Sequence, residues 1–255
     1  MIRAFIFKLF RSPYFYAAMA GILGLCLFFA NAELGGKKGL NGIDVCTDIA
    51  ILLQVNGYQR FFIVLGAIPF AANFADEWNS KAIINCVTRK GAFDYAVSNV
   101  AVCFISTVVT IFVPLIVFAA LDCGTKAVHD DMSGFDPTAY GVFQAMGLPF
   151  LTIVFVVLTY ALSGAMWSVM GMTLSVFFPS RYIAIGAPFI FCNALERLTD
   201  YNPPLLSFTA LTNGRTWIPD GLGFCYTLLV FGGLSAACGA LFVMKVEKRV
   251  RNEIG

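Results

Sequence analysis

Residues 74–121 read FADEWNSKAIINCVTRKGAFDYAVSNVAVCFISTVVTIFVPLIVFAAL, and they indicate the class of protein. The second part of this segment, Tyr95–Leu121, is an apolar run without a single charged side chain. Uncharged apolar runs of about 18 residues or more are typical of helices that cross a membrane. The first part, residues 76–92, carries charges near both ends, which is typical of a helix outside the hydrocarbon core.

The composition of the whole chain agrees with a membrane protein. Of its 255 residues, 59% are hydrophobic and 13% are charged, whereas soluble domains contain about 45–50% apolar and about 25% charged residues. The 26 phenylalanines fit a surface that faces lipid. We therefore predict an all-α integral membrane protein in a lipid bilayer, with a single transmembrane domain over residues 1–255.

The apolar runs predict six transmembrane helices. Their expected bounds are Tyr14–Ala30, Tyr58–Ala75, Tyr95–Leu121, Leu148–Phe178, Tyr182–Leu195 and Leu222–Met244. The start of span two is left open, because Ile49–Val55 is apolar too. Arg60 then lies either inside the membrane or at its edge, and we favour the edge.

Span five is unusual. As a helix its residues cover about 21 Å, which is less than the hydrocarbon core of about 30 Å. It contains Pro188, and Asn202-Pro203-Pro204 follows it before the apolar stretch Leu205–Leu211. This pattern predicts a broken span and a re-entrant hairpin between spans five and six, with protein shielding the free backbone groups.

Residues 1–12 predict an amphipathic helix of their own. Apolar side chains repeat at helical spacing, and basic side chains lie roughly opposite, which is typical of a helix in the membrane interface. The apolar set is Ile2, Phe5, Ile6, Leu9 and Phe10, and the basic set is Arg3, Lys8 and Arg11. Ser12-Pro13 predicts the start of a new helix. The segment also resembles a signal peptide, but we expect it to be retained.

Charge asymmetry predicts the orientation. With a cytoplasmic N-terminus, eleven of the seventeen Lys and Arg residues fall in inner segments, and ten of the fifteen acids fall in outer segments. Positive charge concentrates on the cytoplasmic side of membrane proteins. The chain is therefore expected to be a multi-pass protein with both termini in the cytoplasm.

Signs of enzyme chemistry are missing from the sequence. The predicted span cores contain no Asp, Glu, Lys, Arg or His, and His129 is the one histidine. There is no pattern for a metal site, a phosphate-binding loop, a nucleophile with its base, or a nucleic-acid interface. The eight cysteines lack C-x-x-C spacing, and we expect packing roles for most of them. A disulfide between Cys46 and Cys123 is left open.

Residues 76–92 predict a short amphipathic helix after span two. Acidic residues come early and basic residues late, and Gly91 is suited to cap the C-terminus. The apolar stripe consists of Trp78, Ala82, Ile83, Cys86 and Val87. Two interpretations are open: the helix rests on lipid headgroups, or it docks into a partner protein.

The layout resembles the type-two ABC exporter permeases. The likeness consists of the amphipathic N-terminal helix, six spans, an acidic residue closing span two, and the phrase FADEWNSKAIINCVTRKGAFDYAVSNV leading into a long span three. A short span five with an outer hairpin adds to it. The likeness covers nearly the whole chain, but it is one of arrangement and does not include an invariant motif.

The resemblance implies that residues 76–92 are a coupling helix, which in that family sits in a groove of a separate ATPase subunit. Its candidate contacts are Asp76, Glu77, Asn79, Lys81, Arg89 and Lys90. Two copies of the ATPase would bind ATP and magnesium. This chain would hold no cofactor, metal or catalytic residue and would not itself be an enzyme.

The resemblance also implies a dimer of permease chains, identical or related, with a substrate pathway near spans one, two and five. Its candidate residues are Phe15, Phe28, Phe29, Phe62, Phe70, Asn73, Phe189 and Asn193. Each aromatic ring among them has the alternative of facing lipid or packing in the core. The expected cargo is amphipathic or hydrophobic (a peptide, lipid or drug), exported across the plasma membrane, and we favour peptide transport or a drug-like amphiphile. The alternatives are a channel or secondary transporter that uses no ATP, or a membrane scaffold.

Overall fold

The computed structural model describes residues 2–34, 45–50, 52–53, 59–124, 143, 146–199, 202–203, 207–212, 218 and 220–254. Within these residues the regular elements are eleven α-helices, with no strand, which confirms the all-α class. The helices are α1 (Ile2–Arg11), α2 (Pro13–Leu34), α3 (Val45–Ala50), α4 (Gln59–Ala67), α5 (Asn73–Asn79), α6 (Ala82–Lys90), α7 (Ala92–Asp122), α8 (Pro149–Phe177), α9 (Arg181–Thr199), α10 (Phe208–Thr212) and α11 (Asp220–Ile254).

Three helices are long and apolar enough to cross a membrane. Their apolar stretches are Ala92–Asp122, Phe150–Phe177 and Leu222–Asn252, which correspond to predicted spans three, four and six. A shorter apolar helix, Pro13–Phe28, occupies the position of span one. Among the described residues, α4 is too short to be a candidate span, and α9 is not apolar enough.

The N-terminal helix ends where the sequence predicts. α1 stops at Arg11, and α2 begins at Pro13, which needs no backbone hydrogen-bond donor at a helix start. Phe5 and Leu9 are buried against the bundle, while Phe7 and Phe10 are exposed. α1 therefore has one apolar side packed on protein and another facing outward.

Predicted span two is not one helix. α4 ends at Ala67, residues 68–72 form turns, and α5 begins at Asn73. Pro69 lies in the break, and proline has no N–H with which to continue a helical ladder. On the α4 side, Gly66 lies directly against α7, where the Thr107 hydroxyl donates a hydrogen bond to its carbonyl at 3.1 Å.

Predicted helix 76–92 is also divided. α5 ends at Asn79 and α6 begins at Ala82, with Lys81 between them at a left-handed φ of 58°. The Ser80 hydroxyl donates to the Asp76 carbonyl at 2.7 Å and so satisfies a group at the end of α5. The predicted C-cap is confirmed, because Gly91 closes α6 with a φ of 84°.

Predicted span five extends further than its apolar run. α9 has 19 residues, about 28 Å of helix, and it continues through Pro188. The helix is therefore not interrupted at Pro188, while the break at Asn202-Pro203-Pro204 and the hairpin after it stay predictions. The helix passes Leu195, where the apolar run ends, and takes in the buried residue Glu196.

The close approach of α8 and α9 depends on a glycine. A Cβ atom added to Gly171 of α8 would lie 2.3 Å from the carbonyl oxygen of Ala184 and 2.6 Å from Pro188. We expect Gly171→Ala to push the two helices apart and to destabilise the protein by about 1–3 kcal/mol. Thermal unfolding in detergent measures the loss. Gly186→Ala on α9 is the matched control, since nothing lies within 4 Å of its Cβ position, and an equal effect of both changes would contradict the prediction.

Of the segment predicted as a re-entrant hairpin, the structure describes residues 202–203 and 207–212. There α10 packs Phe208 against the rings of Trp167 and Phe231. The hydroxyl of Thr212 lies 3.4 Å from that of Ser163, near the middle of α8. Leu205 and Leu206 lie outside the described residues.

Several helix ends meet at one end of the bundle, which we call the basal face. Here Asn79 donates a hydrogen bond to the Pro179 carbonyl at 3.1 Å, between α8 and α9. The guanidinium of Arg249, near the end of α11, donates to the Val176 carbonyl and lies 4.2 Å from the ring centre of Trp78. α1 is bound to α5 at the same face, so α1 and the end of α11 share one side of the bundle.

Candidate functional site

A buried carboxylate at the basal face connects three helices. Glu77 of α5 is only 8% exposed. One of its oxygens accepts a hydrogen bond from Lys8 Nζ of α1 at 2.7 Å, and the other accepts one from the Tyr95 hydroxyl of α7 at 2.6 Å. A buried charge is tolerated when it is paired and hydrogen-bonded in this way.

Two amide side chains extend the network. Lys8 Nζ also donates to Asn73 Oδ1 at 2.6 Å, and Asn73 Nδ2 donates to Asn99 Oδ1 at 2.8 Å. Asn99 Nδ2 in turn donates to the Tyr95 carbonyl at 3.1 Å. We call these five residues (Lys8, Asn73, Glu77, Tyr95 and Asn99) the basal network.

Helical spacing explains how the basal network forms. Asn73 and Glu77 are four residues apart on α5, and Tyr95 and Asn99 are four residues apart on α7, so each pair lies on one helix face. The two faces meet, and Lys8 reaches them from α1. The four-residue spacing of polar residues on both helices is the signal that the sequence analysis missed. The sequence analysis also placed Lys8 on the basic side of α1, away from the apolar residues.

Aromatic rings surround the basal network. The ring of Phe5 packs edge-on against Phe70 at 5.9 Å and Tyr95 at 6.0 Å. On the other side, Phe74 packs against Phe242 of α11 at 5.3 Å. These rings cover the Glu77 end of the ion pair, whereas the Lys8 end remains open to water. α5 is thereby attached to α1, α7 and α11.

The predicted apolar stripe packs on the chain only in part, because Ala82 is exposed and Trp78 belongs to α5. Ile83 is buried, and Cys86 and Val87 are half-buried against the same hydrophobic cluster. Burial raises the pKa of the Cys86 thiol and the negative charge of Glu77 raises it further, so the group stays protonated and acts as a packing residue. The outward side of α5 and α6 is polar and includes Asp76, Asn79, Asn85, Thr88 and Arg89.

The six predicted coupling residues fall into different environments. Asp76, Asn79, Lys81 and Arg89 are exposed, whereas Glu77 is buried in the basal network. Lys90 is the last residue of α6, and its side chain lies outside the described residues. The surface available to a partner is therefore built from the exposed four.

The eight predicted pathway residues also separate. Phe15, Phe62 and Phe70 are buried in the hydrophobic core, and Asn73 belongs to the basal network. Phe28 and Phe189 are exposed, and Asn193 donates a hydrogen bond to the Phe189 carbonyl at 2.7 Å. The side chain of Phe29 lies outside the described residues.

A second ion pair connects α4 to α9. Arg60 Nη2 lies 3.3 Å from a carboxylate oxygen of Glu196, and the Glu196 side chain is 5% exposed against 34% for Arg60. Sequence reasoning missed Glu196 because it ended span five at Leu195. α9 extends past Leu195, and the Glu196 carboxylate on this extension pairs with Arg60 of α4.

Some buried polar atoms of α4 and α8 have no hydrogen-bond partner. Among the described residues, Arg60 Nε, the Tyr160 hydroxyl and Trp167 Nε1 are buried without a hydrogen-bond partner. The phenol of Tyr160 lies within electrostatic range of Arg60, Cys192 and Glu196. We call Arg60, Tyr160, Trp167, Cys192 and Glu196 the upper cluster. The sequence predicts span cores without charged residues, whereas in the structure the charged side chains of Arg60 and Glu196 lie between α4 and α9.

The cysteines show no bond in the described part of the chain. Cys123 is a free thiol, and the side chain of Cys46, its potential partner, lies outside the described residues. No group of three or more His, Cys, Asp or Glu side chains placed to hold a metal ion occurs among the residues that the structure covers.

Comparison with protein-family models, curated proteins and solved structures yields no match for this chain. The functional conclusions below therefore depend on the chain's own residues and on the likeness of its layout.

Proposed function

We propose that the chain is the membrane-spanning permease subunit of an ATP-driven exporter. The observation that supports this most is the fixed position of α5, which the basal network attaches to α7. α6 follows α5 and packs Ile83 into the hydrophobic cluster that α7 also lines. A force on a surface element reaches the spans only if that element is held rigidly to them, and α5 meets this condition through polar contacts and α6 through apolar packing.

In this proposal, six spans cross the plasma membrane and both termini are cytoplasmic. α2, residues 59–75 (which include α4) and α9 supply the spans that are shorter or less apolar than α7, α8 and α11. The segment around α10 is the re-entrant hairpin on the outer side. Two permease chains form a dimer, and two ATPase subunits that bind ATP and magnesium contact the outward side of α5 and α6.

The cargo in this proposal is an amphipathic or hydrophobic molecule such as a peptide. Phe28 and Phe189 are large exposed apolar side chains on α2 and α9, and these helices correspond to spans one and five. Phe15, Phe62 and Phe70 reach the pathway only after a rearrangement, because in this conformation they are packed in the core. The pathway between two chains is then lined first by Phe28 and Phe189.

Co-purification tests the proposal. The tagged chain is expressed with candidate ABC ATPase subunits from the same organism, and we expect one of them to form a stable complex in detergent whose ATP hydrolysis is stimulated by the permease. Arg89→Glu should weaken the complex at least about tenfold, as expected for loss of one desolvated charge contact and its replacement by a like charge. Arg89 is suitable because it is exposed and outside the basal network.

The control is Arg197→Glu, an exposed charge reversal near the other end of α9. It should leave the complex unchanged. If no complex forms, or if the two reversals behave alike, the coupling role of α6 is wrong and the membrane-scaffold interpretation gains support.

The upper cluster favours a second candidate function, a secondary transporter or channel. Ionisable residues between membrane helices are typical of ion and proton pathways, and Arg60 and Glu196 form such a pair. This alternative predicts transport by proteoliposomes that is driven by an ion gradient without ATP. The exporter proposal predicts no transport until the ATPase and ATP are added.

A further inference from the structure

A cleft of about 310 Å³ opens at the basal face beside the basal network. It lies between α1, the start of α2, the break after α4, and the start of α9. Its polar lining consists of Lys8, Ser12, Tyr14, Asn73, Asp76 and Arg181. Ligand sites have volumes of about 300–1,000 Å³, so the cleft is large enough for a small polar group but not for a whole lipid or peptide.

The cleft presents hydrogen-bond donors that the protein leaves unused. The ammonium of Lys8 has three N–H donors, and two are bound to Asn73 and Glu77. Its side chain remains 54% exposed, so the third donor is open to the cleft. Arg181 has no ion pair among the described residues, and its guanidinium lies 5.1 Å from the ring centre of Tyr14.

The two cations point to an oxyanion with several acceptor atoms, and phosphate has this chemistry. Asp76 adds a negative charge to the same lining. A simple anion would be repelled by this carboxylate, whereas a headgroup that carries an ammonium next to its phosphate would satisfy it. The charge pattern therefore matches a zwitterion.

The surroundings of the cleft indicate that this zwitterion is attached to a lipid. Phe10 and Tyr14 are exposed at the α1–α2 corner, and Tyr182 is 87% exposed next to Arg181. Aromatic residues concentrate at the level of the lipid headgroups, and α1 has the exposed apolar side of an interfacial helix. Acyl chains can thus lie against the outer side of the bundle while the headgroup enters the cleft.

We propose that this cleft binds the headgroup of an amine-bearing phospholipid, with its phosphate on Lys8 and Arg181 and its ammonium at Asp76. A bound headgroup would connect α1 to α9, two elements that the basal network does not join. The proposal does not depend on transport, so it stands or fails separately from the exporter function.

Native mass spectrometry of the full chain, purified in detergent and stripped of lipid, tests the proposal. The probes are phosphatidylethanolamine, phosphatidylglycerol and diacylglycerol with identical acyl chains. We expect affinity to fall in that order. Arg181→Gln should weaken phosphatidylethanolamine binding about tenfold, as for loss of one charge-assisted hydrogen bond, and Arg181→Lys should recover part of it. Asp76→Asn should reduce the preference for ethanolamine over glycerol.

Arg197→Gln is the matched control, because it removes an exposed cation from the same helix far from the cleft. Equal binding of diacylglycerol, tighter binding of phosphatidylglycerol, or equal effects of Arg181→Gln and Arg197→Gln would overturn the proposal. Glycerophosphoethanolamine, which has the headgroup without the chains, should compete poorly. If it competes as well as the lipid does, the ligand is a soluble phosphate and the lipid assignment fails.

Discussion

Glu77→Ala should destabilise the protein by about 2–4 kcal/mol, because it removes a carboxylate that accepts two hydrogen bonds in a buried site. The Tyr95 hydroxyl, on a fully buried residue, loses its acceptor. Lys8 loses an ion pair, but its half-exposed ammonium regains water, and this keeps the cost below that of a fully buried pair. Thermal unfolding in detergent measures the change.

A second measurement identifies which contact fails. α1 is held through Lys8 as well as through Phe5 and Leu9, so loss of Glu77 should loosen this helix before the long helices unfold. We expect trypsin to cut after Arg11 faster in Glu77→Ala than in the unchanged protein at a temperature where both remain helical. Unchanged cleavage would show that the ion pair does not hold α1.

Asp76→Ala is the matched control, since Asp76 is the neighbouring acid on α5 but is exposed. Its effect should stay within about 0.5 kcal/mol, the usual range for surface substitutions. Tyr95→Phe should fall between the two, because Glu77 keeps its pairing with Lys8. If Glu77→Ala and Asp76→Ala unfold alike, the basal network contributes nothing to stability.

The parts of the fold that follow from local chemistry were predictable. The apolar run of α7 is so long that the sequence predicts a helix that is buried or crosses a membrane. Pro13 and Gly91 mark helix boundaries through backbone properties that act in any context.

The parts that depend on tertiary contacts were not predictable from one sequence. Pro69 sits inside an apolar run, and hydropathy alone does not show whether a helix bends or breaks there. The predicted span five ends before Glu196, because an isolated carboxylate is costly in a membrane. Its partner Arg60 is 136 residues away in the chain, and only the packing of α4 on α9 brings the two together.

The upper cluster gives an effect of similar size. Glu196→Ala should destabilise the protein by about 2–4 kcal/mol, since it removes the buried partner of an ion pair and leaves Arg60, which is partly exposed, without its counter-charge. The double change Arg60→Met with Glu196→Met should recover most of this loss, because two apolar side chains of similar length replace the pair without leaving a charge behind. Unfolding in detergent measures both variants, and a double variant as unstable as Glu196→Ala would contradict the expected recovery.

The double variant also separates a structural role of the pair from a functional one. Under the proposed exporter function, if the pair only holds α4 against α9, a stable double variant should support ATP hydrolysis and transport at the same rates as the unchanged sequence. If α4 and α9 move apart during transport, an apolar contact that cannot be solvated on opening should slow transport while leaving stability intact. We expect the second result, because the charged groups of Arg60 and Glu196 would gain water when the helices separate. Their hydration offsets part of the free energy of opening, and two methionine side chains would lack this contribution.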